Sequence, residues 1–173
     1  MTRRTDPERG DFSARRSALL VRADKLVWPV SPTAITRVGD TVTLDRNGTG
    51  EPHEGLDIFV PAGTPVVSAA RGRVTTVLDG RFSSDSHRKR AGLFVEVTAA
   101  NHRIFRYLHL GTAEVNEGAE LAPGDFIGII APPYTSGAGK KSHLHFEIRE
   151  PRSGGHRYGR PINPLLLLPR RDA

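Results

Sequence analysis

Apolar residues recur along this chain in short runs that alternate with polar ones, broken by Gly, Pro and Asn/Asp turns. That pattern predicts β-strands. The clearest run is His143–Arg149, in which Leu144, Phe146 and Ile148 take one face and His143, His145, Glu147 and Arg149 the other. Leu93, Val95 and Val97 likewise alternate with Phe94, Glu96 and Thr98, a half-buried strand. Arg103–Leu110 reads as a strand whose period of two sets Phe105, Tyr107 and His109 on a common face. Further strands are expected at Leu26–Val30, ending at a proline, and at Thr41–Leu44, Ile58–Val60, Val66–Ala70, Val74–Leu78 and Phe126–Ala131. Residues 80–91 read as a polar, basic loop in which His87 is solvated. Residues 151–160 form a Gly/Arg-rich loop with His156 exposed, and Leu165–Leu168 closes the fold. One short helix is expected near the start, over residues 14–22, with Ser13 as its cap. Strands of this length and spacing predict an all-β domain with a sandwich- or barrel-like core.

Composition agrees. The 173 residues suit one domain, and 18 Gly with 13 Pro supply the turns. The net charge of +6 is uneven. Residues 1–25 carry seven Arg/Lys against four Asp/Glu, and residues 149–173 carry six against two. Residues 26–148 are therefore left with twelve against thirteen. The expected organisation is a basic extension over 1–25, a folded domain over 26–168 and a short tail over 169–173. Basic ends suit an anionic polymer such as those of the cell wall, and equally suit solvated tails that aid solubility. Without aromatic residues interleaved among the cations, they do not make a nucleic-acid platform. No apolar run is long enough for a membrane span. The arginine pairs Arg3-Arg4 and Arg15-Arg16 lack the apolar stretch of a signal peptide.

With no cysteine, a metal would have to be held by His and carboxylate. Two stretches offer them: His53-Glu54-Gly55-Leu56-Asp57 and His143-Leu144-His145. On a strand, His143 and His145 share a face roughly 6.6–6.8 Å apart along it. Both can ligate, or one can ligate while the other lines the pocket, and spacing alone leaves this open. His53 and Asp57 stand at i and i+4, but Gly55 and the following Ile58-Phe59-Val60-Pro61 argue for a turn into a strand rather than a helix. Glu54 is therefore not assigned the general-base role it has in helical His-Glu-x-x-His sites. Gly137–Ser142 imitates a phosphate loop, but Lys141 stands where Ser/Thr is required and Tyr134 where the first glycine is required.

In this order, His-x-Gly-x-Asp (53–57), Tyr-Leu-His-Leu (107–110) and His-Leu-His-Phe-Glu (143–147) resemble the lysostaphin/LytM-type zinc metallopeptidases, which cut peptide bonds in bacterial peptidoglycan. Flanking stretches extend the resemblance over about residues 26–168: LVWPV (26–30), AARGRV (69–74), LAPGDFIGII (121–130) and INPL (162–165). The resemblance implies an antiparallel β-sheet core of the lysostaphin/LytM type, a duplicated hybrid motif related to biotinyl/lipoyl-like barrels. It also implies one zinc ion per chain held by His53, Asp57 and His145, with His109 and His143 as catalytic histidines. Two positions depart from the family pattern. Arg37-Val38-Gly39-Asp40 replaces a Phe-Gly-x-Arg element, and Gly139-Lys140-Lys141-Ser142 replaces a Ser-Thr-Gly-x loop. Both border the family's groove and bear on substrate preference.

The function implied is zinc-dependent hydrolysis of stem or cross-bridge peptides of the wall, outside the cytoplasm. A phage or secretion/injection assembly would reconcile that site of action with the absence of a visible signal, and so would a sequence that is a fragment of a longer exported protein. The alternative is a module of the same fold that binds or scaffolds a protein partner with little activity.

Overall fold

The computed structural model describes residues 25–45, 48, 50–151 and 159–171. The expected helix over 14–22 and His156 lie outside the described residues.

Ten strands make one open sheet, and every pairing in it is antiparallel. They are β1 (Arg37–Val38), β2 (Leu56–Phe59), β3 (Pro65–Val67), β4 (Gly72–Asp79), β5 (Leu93–Thr98), β6 (Ile104–Ala113), β7 (Glu120–Leu121), β8 (Phe126–Ile130), β9 (His143–Arg149) and β10 (Pro161–Ile162). The main path runs β1-β2-β9-β6-β5-β4-β7, with β10 on β9, and β8 joining β3 to β6. The fold is all-β, and the sheet is open rather than closed into a barrel.

One face of the sheet carries the main core. Leu56 and Ile58 of β2, Phe105 and Tyr107 of β6, and Leu144, Phe146 and Ile148 of β9 are all buried there. Alternation puts them on the same side, and their burial drives the sheet to form. Trp28 and Val30 cover this core from outside the sheet. The strand expected at Leu26–Val30 is absent. The segment is extended but makes isolated bonds, Val27 N–H to Ala69 O and Val67 N–H to Pro29 O, because Pro29 has no N–H to continue a ladder. The strand expected at Thr41–Leu44 shrinks to a bridge between Thr43 and His53. Leu165–Leu168 closes the fold as a 3-10 turn at Pro164–Leu166, with Leu168 in the core.

The opposite face holds the second surprise. β5 is buried on both sides, with Phe94 at 5% and Glu96 at 2% exposure, so the half-buried reading fails. Part of its cover is a helix inside the expected polar loop, α1 (Ser86–Ala91). The Asp85 carboxylate caps it by accepting from the His87 and Arg88 N–H groups, and Gly92 at φ 69 ends it. Its one buried residue, Ala91, packs with Phe94 and Leu108. Six residues with one apolar anchor leave no helical period to read. His87 on α1 is exposed, as expected.

Candidate metal centre

The polar face of β9 lies against that of β2. Asp57 and His145 are register partners, and so are Leu56 and Phe146. Asp57 and His145 therefore project side by side, while Leu56 and Phe146 turn into the core. Gly55 permits this pairing for a steric reason: a Cβ there would fall 2.7 Å from both His145 Nε2 and Phe146 O. The Thr43 bridge brings His53 to the same place.

Three donor atoms converge. His53 Nε2 lies 3.1 Å from Asp57 Oδ1 and 3.2 Å from His145 Nδ1, and His145 Nδ1 lies 2.9 Å from Asp57 Oδ1. Ligands about 2.0–2.2 Å from a tetrahedral ion stand roughly 3.3 Å apart, so this triangle has the size of one face of such a site. Two imidazoles and a carboxylate form a borderline donor set that suits zinc and leaves a fourth position open.

The outer nitrogens fix which atom faces inward. A carbonyl can only accept, so the ring nitrogen beside it must donate. His53 Nδ1 donates to Thr41 O at 2.9 Å, His109 Nδ1 to Ser136 O at 2.8 Å, and His143 Nδ1 to Lys141 O at 2.9 Å. Each keeps Nε2 for the site. His145 is turned the other way: its Nε2 faces Glu147 Oε1 at 3.3 Å, and Nδ1 joins the cluster. A carboxylate behind a histidine in this manner orients it and strengthens it as a ligand.

Glu147 belongs to a buried row of charges across the sheet. Arg106 donates to Glu147 at 2.8 Å and to Glu96 at 2.9 Å. Arg149 pairs with Glu147, and reaches Glu54 at 2.6 Å. Each partner keeps the next charged. Burial would raise the Glu147 carboxyl, but His145 and the two arginines pull it far below the usual carboxylate range. Burial likewise opposes the Asp57 charge, which hydrogen bonds from His145 and His53 hold well below that range. Burial would lower His145, yet Asp57 and Glu147 carry it up to about 9. His109 is pushed down to about 3, by burial first and then by its neighbours His145 and His143.

His109 reaches the cluster by an irregularity. Phe105 and Tyr107 face the core, but His109 lies on the other side, its ring 4.8 Å from His143 and 5.9 Å from His145. Its φ of 66 breaks the alternation where β6 changes partner, from β9 up to Leu108 to β8 from Leu110. The expected common face of Phe105, Tyr107 and His109 is therefore wrong. Tyr107 does not reach the cluster: it packs on Phe146, and its hydroxyl accepts from Ala69 N–H at 2.8 Å.

Thus His53, Asp57, His109, His143 and His145 are all brought together, and Glu54 is drawn away toward Arg149. The sequence reading missed Glu147 as the support of His145, although its place two residues on in the same strand signalled it. The carbonyls of Thr41, Ser136 and Lys141 leave no side-chain signal.

An open antiparallel sheet of this kind is the fold of the lysostaphin-type peptidases. Solved structures agree: the catalytic domain of lysostaphin from Staphylococcus simulans superposes with a TM-score of 0.62 at 20% identity, over 78% of this chain and 92% of that one. A zinc-containing peptidase from Vibrio cholerae superposes with a TM-score of 0.62 at 25% identity, over 80% of this chain and 39% of that one. Residues 51–164 match the model of peptidase family M23, and the chain belongs to that family. It is 30% identical over 114 residues to the peptidoglycan DD-endopeptidase ShyA of Vibrio cholerae, covering 66% of this chain and 22% of ShyA. It is 28% identical over 146 residues to the cell division protein DipM of Caulobacter vibrioides, covering 84% of this chain and 21% of DipM. The chain thus spans about a fifth of the length of these relatives. Among the described residues no helix is long and apolar enough to cross a membrane.

Proposed function

We propose that this chain is a zinc-dependent endopeptidase that hydrolyses stem or cross-bridge peptide bonds of bacterial peptidoglycan. His53, Asp57 and His145 would hold one zinc ion, and His109 and His143 would act on the reacting groups. The observation that carries this is the convergence of the three donors within 2.9–3.2 Å of one another, with outward ring nitrogens held by acceptors. Zinc bound there would activate water and polarise the scissile carbonyl.

The chain's own groups supply the rest. His109 and His143 each spend Nδ1–H on a carbonyl, so each neutral ring offers a lone pair at Nε2. Either can take a proton from the attacking water and return it to the leaving amine. Protonated, either can donate to the developing oxyanion. The buried row behind His145 keeps the donor set from rotating. The substrate places the action at the cell wall, and basic segments over 1–25 and 149–173 would add attraction for anionic wall polymers.

The test is digestion of purified sacculi by zinc-loaded protein, with mass spectrometry of the released fragments and metal analysis of the same sample. One zinc per chain and new amino termini within wall peptides are expected. Likeness to a cell division protein keeps a binding or scaffold module as the second reading. Stoichiometric zinc with sacculi left intact would favour it and overturn the first.

A further inference from the structure

Next to the donor cluster, the structure holds a second chemical environment. Between α1 and the segment 132–139 lies a cavity of about 450 Å³, lined by Arg81, Lys89, Arg90, Ser86, Tyr134 and Thr135, with Gly137 at its floor. Its polar character is cationic. The nearby carboxylates are already engaged: Asp79 is held by Arg81 at 2.6 and 2.8 Å, and Asp85 accepts the N–H groups that cap α1. Among the described residues, Arg90 meets His87 Nδ1, at 3.1 Å. Among the described residues no Asp or Glu lines the cavity itself. Lys89 and Arg90 thus present charge that no carboxylate of the lining neutralises.

Two further observations point to a ligand. Tyr134 is 73% exposed, yet it stands at φ 64, held by its N–H on Gly139 O at 2.8 Å. The ring gains nothing from core burial there, and left-handed backbone at a bulky non-glycine residue costs energy. The cavity also shares a wall with the catalytic groups. Ser136 O accepts from His109, and a Cβ on Gly137 would fall 3.1 Å from His109 Nδ1 on one side and 2.0 Å from Arg90 O on the other. One residue of chain therefore separates the basic cleft from His109. Leu93 N–H donates to Ser136 Oγ at 2.9 Å and ties the start of β5, two residues past α1, to this loop.

We propose that this cleft is an anion subsite of the substrate groove, taking a free carboxylate of the bound peptide beside the scissile bond, while Tyr134 packs on the peptide. The proposal rests on the reading of the chain as a wall-peptide hydrolase. A long polyanion would call for an extended stripe of cations, whereas here Lys89 and Arg90, beside the Asp79-paired Arg81, line one cavity against His109. The site adds no chemical step; it sets which peptide is held in register.

The test is fluorescence anisotropy with zinc-loaded His109→Ala protein, read while its slowed turnover still leaves the probe intact. Two labelled cross-linked stem peptides serve as probes, identical except that the diaminopimelate carboxylates are free in one and amidated in the other. The free form is expected to bind about fivefold tighter, the scale of solvent-exposed charge pairs. Lys89→Gln with Arg90→Gln should abolish the preference and leave binding of the amidated peptide unchanged. Lys89→Gln alone, which leaves Arg90 and the α1 cap in place, should reduce it by part. Equal binding of the two peptides, or a preference that survives the double substitution, overturns the proposal. So does binding of a glycerol-phosphate polymer through Lys89 and Arg90 while the two peptides bind alike, which would make the cleft a polymer site. A carboxylate preference that responds to these substitutions, in a protein whose wild-type form leaves sacculi intact, would reject the hydrolase reading and keep the subsite.

Discussion

Two regions that almost touch are built on opposite terms. Along β9 and β2, His53, Asp57, His145 and Glu147 are held in a buried row, each polar atom answered by another. Across the thin wall of Ser136 and Gly137, α1 and Tyr134 present cations and a ring to solvent. The first region is placed by strand register and tolerates little movement, as a site that must hold a donor triangle requires. The second is placed by a capped six-residue helix and a glycine-rich loop. On the proposed reading, chemistry would sit on the strands and selection on the loops, joined at His109.

That division can be broken most severely at the donors. Asp57→Ala or His145→Ala is expected to remove zinc and abolish turnover, with metal analysis falling from one ion per chain to near none. Removing Asp57 also takes away one of the two buried carboxylates beside His145, so circular dichroism should accompany the assay. Zinc near one per chain in either variant would sink the ligand assignment. His109→Ala comes next. It should keep zinc and lower kcat by about 10²–10⁴-fold, the usual contribution of a general acid–base. Loss of zinc in that variant would move His109 among the ligands instead.

Glu147→Gln tests whether the row behind the donors matters. The amide keeps the shape and can still accept from His145 Nε2, but the charge is gone. Metal affinity is expected to fall by about 10–100-fold, the scale seen for supporting partners of ligating histidines. Arg106 and Arg149 would lose a shared buried carboxylate, and breaking such pairs costs about 3–5 kcal/mol. Melting temperatures with and without zinc separate the two effects: a uniform drop reports the arginines, and a smaller gain on adding zinc reports His145. An unchanged zinc gain would make Glu147 purely structural.

How much of this was legible follows the same division. The alternation of His143–Arg149 was legible because one residue in two must enter the core, and β9 runs over those residues. The motif order around His53, Asp57, His109 and His145 named the cluster before any geometry. What failed was local. His109 does not share the face of Tyr107 because its φ of 66 sits where β6 changes partner, and no period-two pattern encodes a change of partner. α1 was hidden because its cap, Asp85, and its single anchor, Ala91, look like any polar turn. The half-buried reading of β5 failed because Glu96 is buried against Arg106, a charge pair that hydropathy counts as two exposed residues. Long-range polar satisfaction is the physics that a local pattern does not carry.

The smallest expected effect lies outside both regions. Residues 1–24 carry six Arg/Lys against four Asp/Glu, a surplus too small to fix a register but enough for screened attraction. Removing them should weaken retention on purified walls at low salt by a few-fold and leave zinc content and cleavage of a small soluble peptide unchanged. Raising the salt to about 0.5 M should erase the difference, because the Debye length falls well below 10 Å. Wall binding unchanged by the truncation at low salt would remove the extension from substrate capture. Sacculus affinity would then rest with the domain itself and the cleft beside His109.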